Sequence, residues 1–277
     1  MTFRQALTQA RARLFEAGFL PRQAEAEARQ LVAWLAGEGV GLWRRIDAEM
    51  PGEQQKLLED ALRRRAGGEP LQLIIGSVEF FGLRLAVRPG VLIPRPETEL
   101  LVELALRLIG DATAPRLLDV GTGSGAIALA IKQQRPDAVI YASDVSPAAL
   151  ELARKNAAEL GLEASFLAAP LTAGLDGLDL IVSNPPYLPA GDEAAAPPEL
   201  AWEAREALYA GADGLNVARP LIDEAARALK PGGWLALELD PRNIELAAEY
   251  AANQGFTNLT SHPDLSGASR FLSGRRG

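Results

Sequence analysis

Along the first 66 residues, apolar positions recur every three or four, the spacing that puts side chains on one face of a helix. Phe3, Leu7, Ala10 and Leu14 form one such stripe, and Thr2 with Gln5 fits the reciprocal capping pair that opens a helix. Pro21 suits the first turn of a second helix, which carries Leu31, Trp34 and Leu35 and ends near Gly37. A third helix is predicted over residues 53–66, with Leu57, Leu58, Ala61 and Leu62 facing inward. Trp34 and Trp43 are expected in the core of this small bundle. Arg63-Arg64-Arg65 reads as a charge run that complements the helix C-terminus. Gly67-Gly68-Glu69-Pro70 then breaks the pattern.

Between residues 71 and 96 the period changes to two. Val78-Glu79-Phe80-Phe81, Gly82-Leu83 and Arg84-Leu85-Ala86-Val87 read as a β-hairpin. From Pro96 onward strands and helices alternate, which predicts an α/β fold with a doubly wound, Rossmann-like sheet. Strands are expected at 116–120, 139–143, 178–183 and 234–239. Helices are expected at 97–109, after Gly125, between the cap Ser146 and Gly161, and at 214–229 and 243–254. Lys230-Pro231-Gly232-Gly233 reads as a turn, and short strands near 256–259 and 270–273 close the chain. The expected organisation is a helical domain at 1–70, a hairpin linker at 71–95 and an α/β domain at 96–277.

Composition narrows the chemistry. With 48% hydrophobic and 23% charged residues, the chain can bury a core and is not disordered. No apolar run approaches the roughly 18 residues that cross a bilayer, and Met1-Thr2-Phe3-Arg4-Gln5 is not a basic-then-apolar leader. A cytoplasmic monomer with no membrane partner is expected. The absence of cysteine excludes disulfides, thiolate nucleophiles and zinc–thiolate clusters. One histidine, His262, excludes a multi-histidine metal site, so no metal is expected. Its context, Ser261-His262-Pro263-Asp264, reads as a solvated turn. A net charge of −8 argues against a partner held mainly through phosphates, and direct nucleic-acid binding is not expected.

Three segments carry chemistry. The first is Asp119-Val120-Gly121-Thr122-Gly123-Ser124-Gly125, at the carboxyl end of a predicted strand and before a helix. Glycines there let a cofactor approach the backbone, although Gly121, Gly123 and Ala126 also satisfy a dinucleotide fingerprint. The second is Asp144, at the end of the next strand. Its carboxylate can accept from both hydroxyls of a ribose, or merely begin the Asp-Val-Ser-Pro turn. The third is Asn184-Pro185-Pro186-Tyr187, where two prolines cannot donate to the sheet. The Asn184 side-chain oxygen and the Pro185 carbonyl can both accept from one planar NH2 group, with Pro186 fixing the chain and Tyr187 stacking over the held group. Two acceptors favour pyramidalisation of that nitrogen and stabilise the positive charge that grows as it attacks an electrophile. A plain loop remains the alternative.

Together these residues resemble Class I S-adenosylmethionine methyltransferases of the Asn-Pro-Pro-Tyr type. Leu92-Ile93-Pro94-Arg95-Pro96-Glu97-Thr98-Glu99 resembles the linker signature of release-factor glutamine methyltransferases. Gly68-Glu69-Pro70, Gly76, Glu79-Phe80, Trp202-Glu203, Ala207-Leu208 and Gly211-Ala212-Asp213-Gly214-Leu215 fit the same family. The resemblance implies methyl transfer from S-adenosylmethionine, leaving S-adenosylhomocysteine. The acceptor would be the side-chain amide of the glutamine in the Gly-Gly-Gln motif of peptide-chain release factors. It implies that Asp119, Gly121, Thr122, Gly123, Ser124, Gly125, Asp144 and Asn184 hold the cofactor. Asn184, Pro185, Pro186, Tyr187 and Arg95 would bind the substrate, with Asn184, Pro185 and Tyr187 catalytic.

Two segments depart from the family pattern. Phe166-Leu167-Ala168-Ala169-Pro170-Leu171 lacks the acidic and aromatic residues usual near adenine, and Glu238-Leu239-Asp240-Pro241-Arg242-Asn243 stands where Glu-x-Gly-x-x-Gln is common. The rival readings are glutamine methylation of a ribosomal protein, adenine-amine methylation of nucleic acid, and a cofactor-binding protein without catalysis.

Overall fold

A computed structural model describes residues 1–37 and 41–277. The chain divides into two compact units, Met1–Gly76 with Pro198–Trp202, and Ser77–Pro197 with Glu203–Gly277. Among the described residues, no helix is long and apolar enough to cross a membrane.

The first unit contains α1 (Phe3–Glu16), α2 (Pro21–Leu35), α3 (Gly41–Arg45), α4 (Gly52–Ala66) and α5 (Leu71–Ile75). The expected capping box is present: Thr2 Oγ1 accepts from Gln5 N at 3.3 Å, and Gln5 Oε1 accepts from Thr2 N at 2.8 Å. Phe3, Leu14, Leu31 and Leu58 fill the core between α1, α2 and α4. Trp34 is half-buried against this core.

Trp43 is 62% exposed, contrary to its expected place in the core, and Leu57 also faces outward. Leu58, Ala61, Leu62 and Arg65 instead make the inward stripe of α4, so one residue of the arginine run is buried. Arg65 donates to Glu27 at 2.6 and 3.0 Å and lies over the Phe19 ring at 4.4 Å. The period-two reading fails over α5, where Pro70 sets the entry and Gly76, at φ 83°, ends a single helical turn.

The second unit opens with a hairpin of β1 (Ser77–Phe80) and β2 (Leu83–Ala86). Its remaining elements are α6 (Thr98–Ile109), β3 (Arg116–Val120), α7 (Ala126–Gln134), β4 (Val139–Asp144), α8 (Pro147–Leu160), β5 (Ser165–Ala168), β6 (Leu178–Ser183), α9 (Ala218–Ala228), β7 (Leu229–Glu238), α10 (Ile244–Asn253), β8 (Phe256–Pro263) and β9 (Ser269–Arg276). The seven-stranded sheet has the order β5-β4-β3-β6-β7-β9-β8. Strands β5 to β7 are parallel, and β9 and β8 add antiparallel. This is the predicted doubly wound sheet, and the order reverses beside β3, where ligands of such folds sit.

Apolar cores cover both faces. One gathers Leu101, Leu117, Leu129 and Val182, and the other Leu118, Ile181, Leu221 and Leu237. Two local expectations are corrected. Residues 230–233 lie within β7 as an irregularity, because the register jumps from Leu178↔Leu229 to Leu180↔Trp234. His262 lies in β8, not in a solvated turn, and its Nε2 is 2.8 Å from Ser273 Oγ. Burial lowers its pKa, and the Arg107 charge adds to this.

Candidate active site

The loop after β3 is shaped by glycine. Gly121 and Gly123 adopt left-handed φ of 70° and 57°. A Cβ on Gly121 would meet nothing within 4 Å, and one on Gly123 would meet only Val91 Cγ1 at 3.9 Å. Gly125 serves packing instead: its Cβ would lie 3.1 Å from Leu129 Cδ1 and 3.2 Å from Ala153 Cβ. The first two glycines therefore leave an open face, and the third lets the start of α7 approach Ala153 on α8.

Buried Asn156 on α8 supports this loop. Its Nδ2 donates to Ser124 O at 2.8 Å and to Ala86 O at 3.2 Å, and its Oδ1 accepts from Ala86 N at 2.8 Å. One side chain thus holds both the hairpin and the glycine loop.

Two acids flank the loop. Asp144 Oδ2 accepts from Gly123 N at 2.9 Å and Oδ1 from Ser146 N at 2.8 Å. Each oxygen keeps a further lone pair for a ligand hydroxyl. Asp119 is buried, with Oδ2 accepting from Thr122 Oγ1 at 2.6 Å and Ala128 N at 3.2 Å, while Oδ1 has no partner. Burial pushes its pKa up to about 7, and the nearby Asp144 charge adds to the rise.

A cavity of about 320 Å³ lies against these groups, at the lower end of the usual range for small-molecule sites. Gly121, Gly123, Asp144, Thr98, Arg95 and Asn184 all line it. Asn184 follows β6, and its Nδ2 donates to Thr98 Oγ1 at 3.2 Å. One of the two amide N–H groups is thereby used, and Oδ1 is left as an acceptor. Behind Thr98 lies Glu238 at the end of β7, only 1% exposed. The Tyr187 hydroxyl donates to Glu238 Oε1 at 3.4 Å, and Oε2 has no partner. Burial raises the Glu238 pKa to about 7 and the Tyr187 phenol above its ordinary range.

The opposite wall is latched by an ion pair. Arg95 Nη2 bonds Glu203 Oε1, and Glu203 Oε2 accepts from Ile93 N at 3.0 Å. This fastens Ala204, Glu206 and Ala207 along the cavity rim.

Family models match both parts of the chain. One described as PrmC N-terminal domain covers residues 5–76, and one described as methyltransferase small domain covers residues 97–218. The chain is 48% identical to the release factor glutamine methyltransferase of Deinococcus radiodurans, across 100% of this chain and 99% of that protein. It is 39% identical to the Geobacter sulfurreducens protein of the same name, across 94% of each. The chain belongs to the release factor glutamine methyltransferase family. As a member it is a methyltransferase, and S-adenosylmethionine is its methyl donor. A solved methyltransferase from Pyrococcus furiosus shares the fold with a TM-score of 0.54 and 19% identity, covering 81% of this chain and 98% of that one.

The residues present suit that donor. Open backbone at Gly121 and Gly123 gives room for a close approach, and Asp144 has spare acceptor capacity. No residue of β5 lines the cavity, and its Phe166 packs against the core instead. Apolar Val145, 72% exposed, and Ala149 line the cavity after Asp144. Among the described residues, no group of three or more His, Cys, Asp or Glu is placed to hold a metal.

Of the residues singled out from sequence, Gly121, Thr122, Gly123, Ser124, Asp144, Asn184 and Arg95 share the cavity wall. Asp119, Gly125, Pro185, Pro186 and Tyr187 do not. Sequence reasoning missed Thr98, Asn156 and Glu203 as individual residues. A polar residue on an otherwise apolar helix face was the available signal for Asn156, between Leu152, Ala153 and Ala157. The departure at 238–243 is answered by Asn243, whose Nδ2 donates to Tyr187 O at 3.4 Å and holds the Asn-Pro-Pro-Tyr turn.

Proposed function

We propose that this enzyme methylates the side-chain amide nitrogen of the glutamine in the Gly-Gly-Gln motif of peptide-chain release factors. The observation that carries the reading is Asn184: it lines the same cavity as Gly121, Gly123 and Asp144, with its nitrogen turned to Thr98. Bound S-adenosylmethionine supplies a methyl group made electrophilic by its sulfonium. Asp144 binds the ribose through its remaining lone pairs, and the loop from 121 to 125 takes the rest of the donor. Asn184 Oδ1 accepts from the target NH2, orients it, and favours the charge that develops on nitrogen, whereas Pro185 stands outside the cavity lining. Tyr187, tied to Glu238, braces the turn, and Arg95 with Glu203 shapes the substrate-side wall.

Residues 1–70 are assigned to docking the protein substrate, 71–95 to a linker and 96–277 to catalysis. The enzyme is assigned as a cytoplasmic monomer with no direct nucleic-acid partner, supported by its net charge of −8. Mass spectrometry of release factors and ribosomal proteins incubated with enzyme and S-adenosylmethionine tests the substrate. A methyl group on the Gly-Gly-Gln glutamine supports the reading. A methyl group only on a ribosomal protein overturns it.

A further inference from the structure

Sheet order fixes the direction in which the donor runs. Strands β6, β3 and β4 lie side by side, with Asn184 after the first, the glycine loop after the second and Asp144 ending the third. In S-adenosylmethionine the ribose stands between the sulfonium and adenine. With the target nitrogen at Asn184 and the ribose at Asp144, adenine lies beyond Asp144, toward the start of α8. Among the described residues, none of β5 or of the loop after it lines the cavity. Val145, Ser146 and Ala149 line that end, and Val91, on the exit from the β1–β2 hairpin, joins them. Val91 is 4% exposed and packs with Ala149 and Leu152, and its Cγ1 lies 3.9 Å from where a Cβ on Gly123 would stand. Its neighbours Gly90 and Leu92 line the cavity as well.

Asn156 holds that exit in place. Ala86 ends β2, and its N–H and C=O both meet the Asn156 amide, at 2.8 and 3.2 Å, as they would meet a paired residue of a neighbouring strand. Asn156 Nδ2 also donates to Ser124 O at 2.8 Å. An apolar side chain of the same size would fill this place on α8, but would leave three backbone groups without that partner. We propose that Asn156 is a positioning residue of the donor site, and that the hairpin exit it ties to the glycine loop, Val91 above all, walls the adenine end of the cavity. This rests on the reading of Asp144 as the ribose acceptor and Asn184 as the amide acceptor. Residues 86–92 thereby belong to the donor site and do more than link two domains.

Asn156 does not line the cavity, so it acts only through the two segments it joins. Those segments meet the donor equally before and during methyl transfer, whereas the reacting nitrogen is held elsewhere, at Asn184. Loosening them therefore costs donor affinity and leaves the rate of the fully loaded enzyme nearly intact. A role in folding alone acts differently: it lowers the amount of active enzyme, and with it kcat, while the folded molecules keep their affinity.

The experiment uses the full chain and compares the parent with Asn156→Leu, Val91→Ala and Asp144→Ala. It measures affinity for S-adenosylmethionine and S-adenosylhomocysteine by calorimetry, thermal unfolding, and methyl transfer to a release factor over a range of donor concentrations. The expected result is a Kd for both ligands raised about tenfold in Asn156→Leu and about 3- to 10-fold in Val91→Ala. In each, kcat/KM for the donor falls by the same factor, and kcat recovers at saturating donor to within about threefold of the parent. A parental Kd in either folded variant overturns the proposal, whether or not kcat has fallen. Where Asn156→Leu does not fold, Val91→Ala decides. If Asp144→Ala weakens donor binding while Asn156→Leu and Val91→Ala do not, the adenine-end wall alone fails. If Asp144→Ala leaves Kd unmoved, the ribose reading fails and the placement of adenine fails with it.

Discussion

The backbone amide of Gly123 donates to Asp144 Oδ2 at 2.9 Å, joining the loops that follow two adjacent parallel strands, β3 and β4. The acid proposed to serve the ribose thus also anchors the glycine loop. Asp144→Ala is expected to weaken S-adenosylmethionine binding by roughly 1.5–3 kcal/mol, the range for a charge-assisted hydrogen bond. Isothermal calorimetry measures this, and an unchanged dissociation constant would remove Asp144 from the donor site.

Gly214 sits at φ 75° under the Asn-Pro-Pro-Tyr turn, and a Cβ there would lie 2.1 Å from Tyr187 O and 2.7 Å from Asn243 Nδ2. The collision is with backbone and cannot be relieved by a rotamer change. Gly214→Ala should shift the turn and lower kcat by about 10²-fold, as displacements near 1 Å do, while donor affinity holds. Steady-state kinetics with calorimetry separates the two effects.

Arg65 is 4% exposed and bonded to Glu27. Arg65→Ala strands Glu27 in the bundle and should destabilise the chain by about 3–5 kcal/mol in urea unfolding. Arg65→Met combined with Glu27→Leu should restore most of that loss, because the burial cost is then removed from both partners.

Asp119 has a folded-state pKa of about 7 against an ordinary 3.8. Between those values the folded protein holds a proton that the unfolded chain has released, so this group's contribution to stability falls as pH rises and levels off above 7. Asp119→Asn keeps an acceptor for Thr122 and Ala128 and should flatten that part of the curve. Denaturant unfolding from pH 4 to 8 measures it, and an unaltered slope would contradict the assignment.

Much of the architecture was legible because periodicity and punctuation agree. The Thr2–Gln5 box, the Ser146 cap and Gly161, at φ 65° beyond α8, all stand where the pattern puts them. The failures share a cause: short segments whose neighbours decide their state. Leu71-Gln72-Leu73-Ile74-Ile75 suits a strand or a helical turn until Pro70 and Gly76 select the latter. Arg65 hides in a charge run because only three-dimensional phase shows that it follows Leu58, Ala61 and Leu62 inward.

In the site, Asp144 and Asn184 stand out because their residue types are odd at strand ends. Thr98 does not, since its partner Asn184 lies 86 positions away.

The most direct measurement is single-turnover methyl transfer to a release factor by Asn184→Ala at saturating S-adenosylmethionine. The account predicts a rate about 10²- to 10³-fold below the parent, with donor affinity nearly unchanged, because one positioned acceptor for the reacting amide is gone. A parental rate in a folded, donor-binding variant would contradict it.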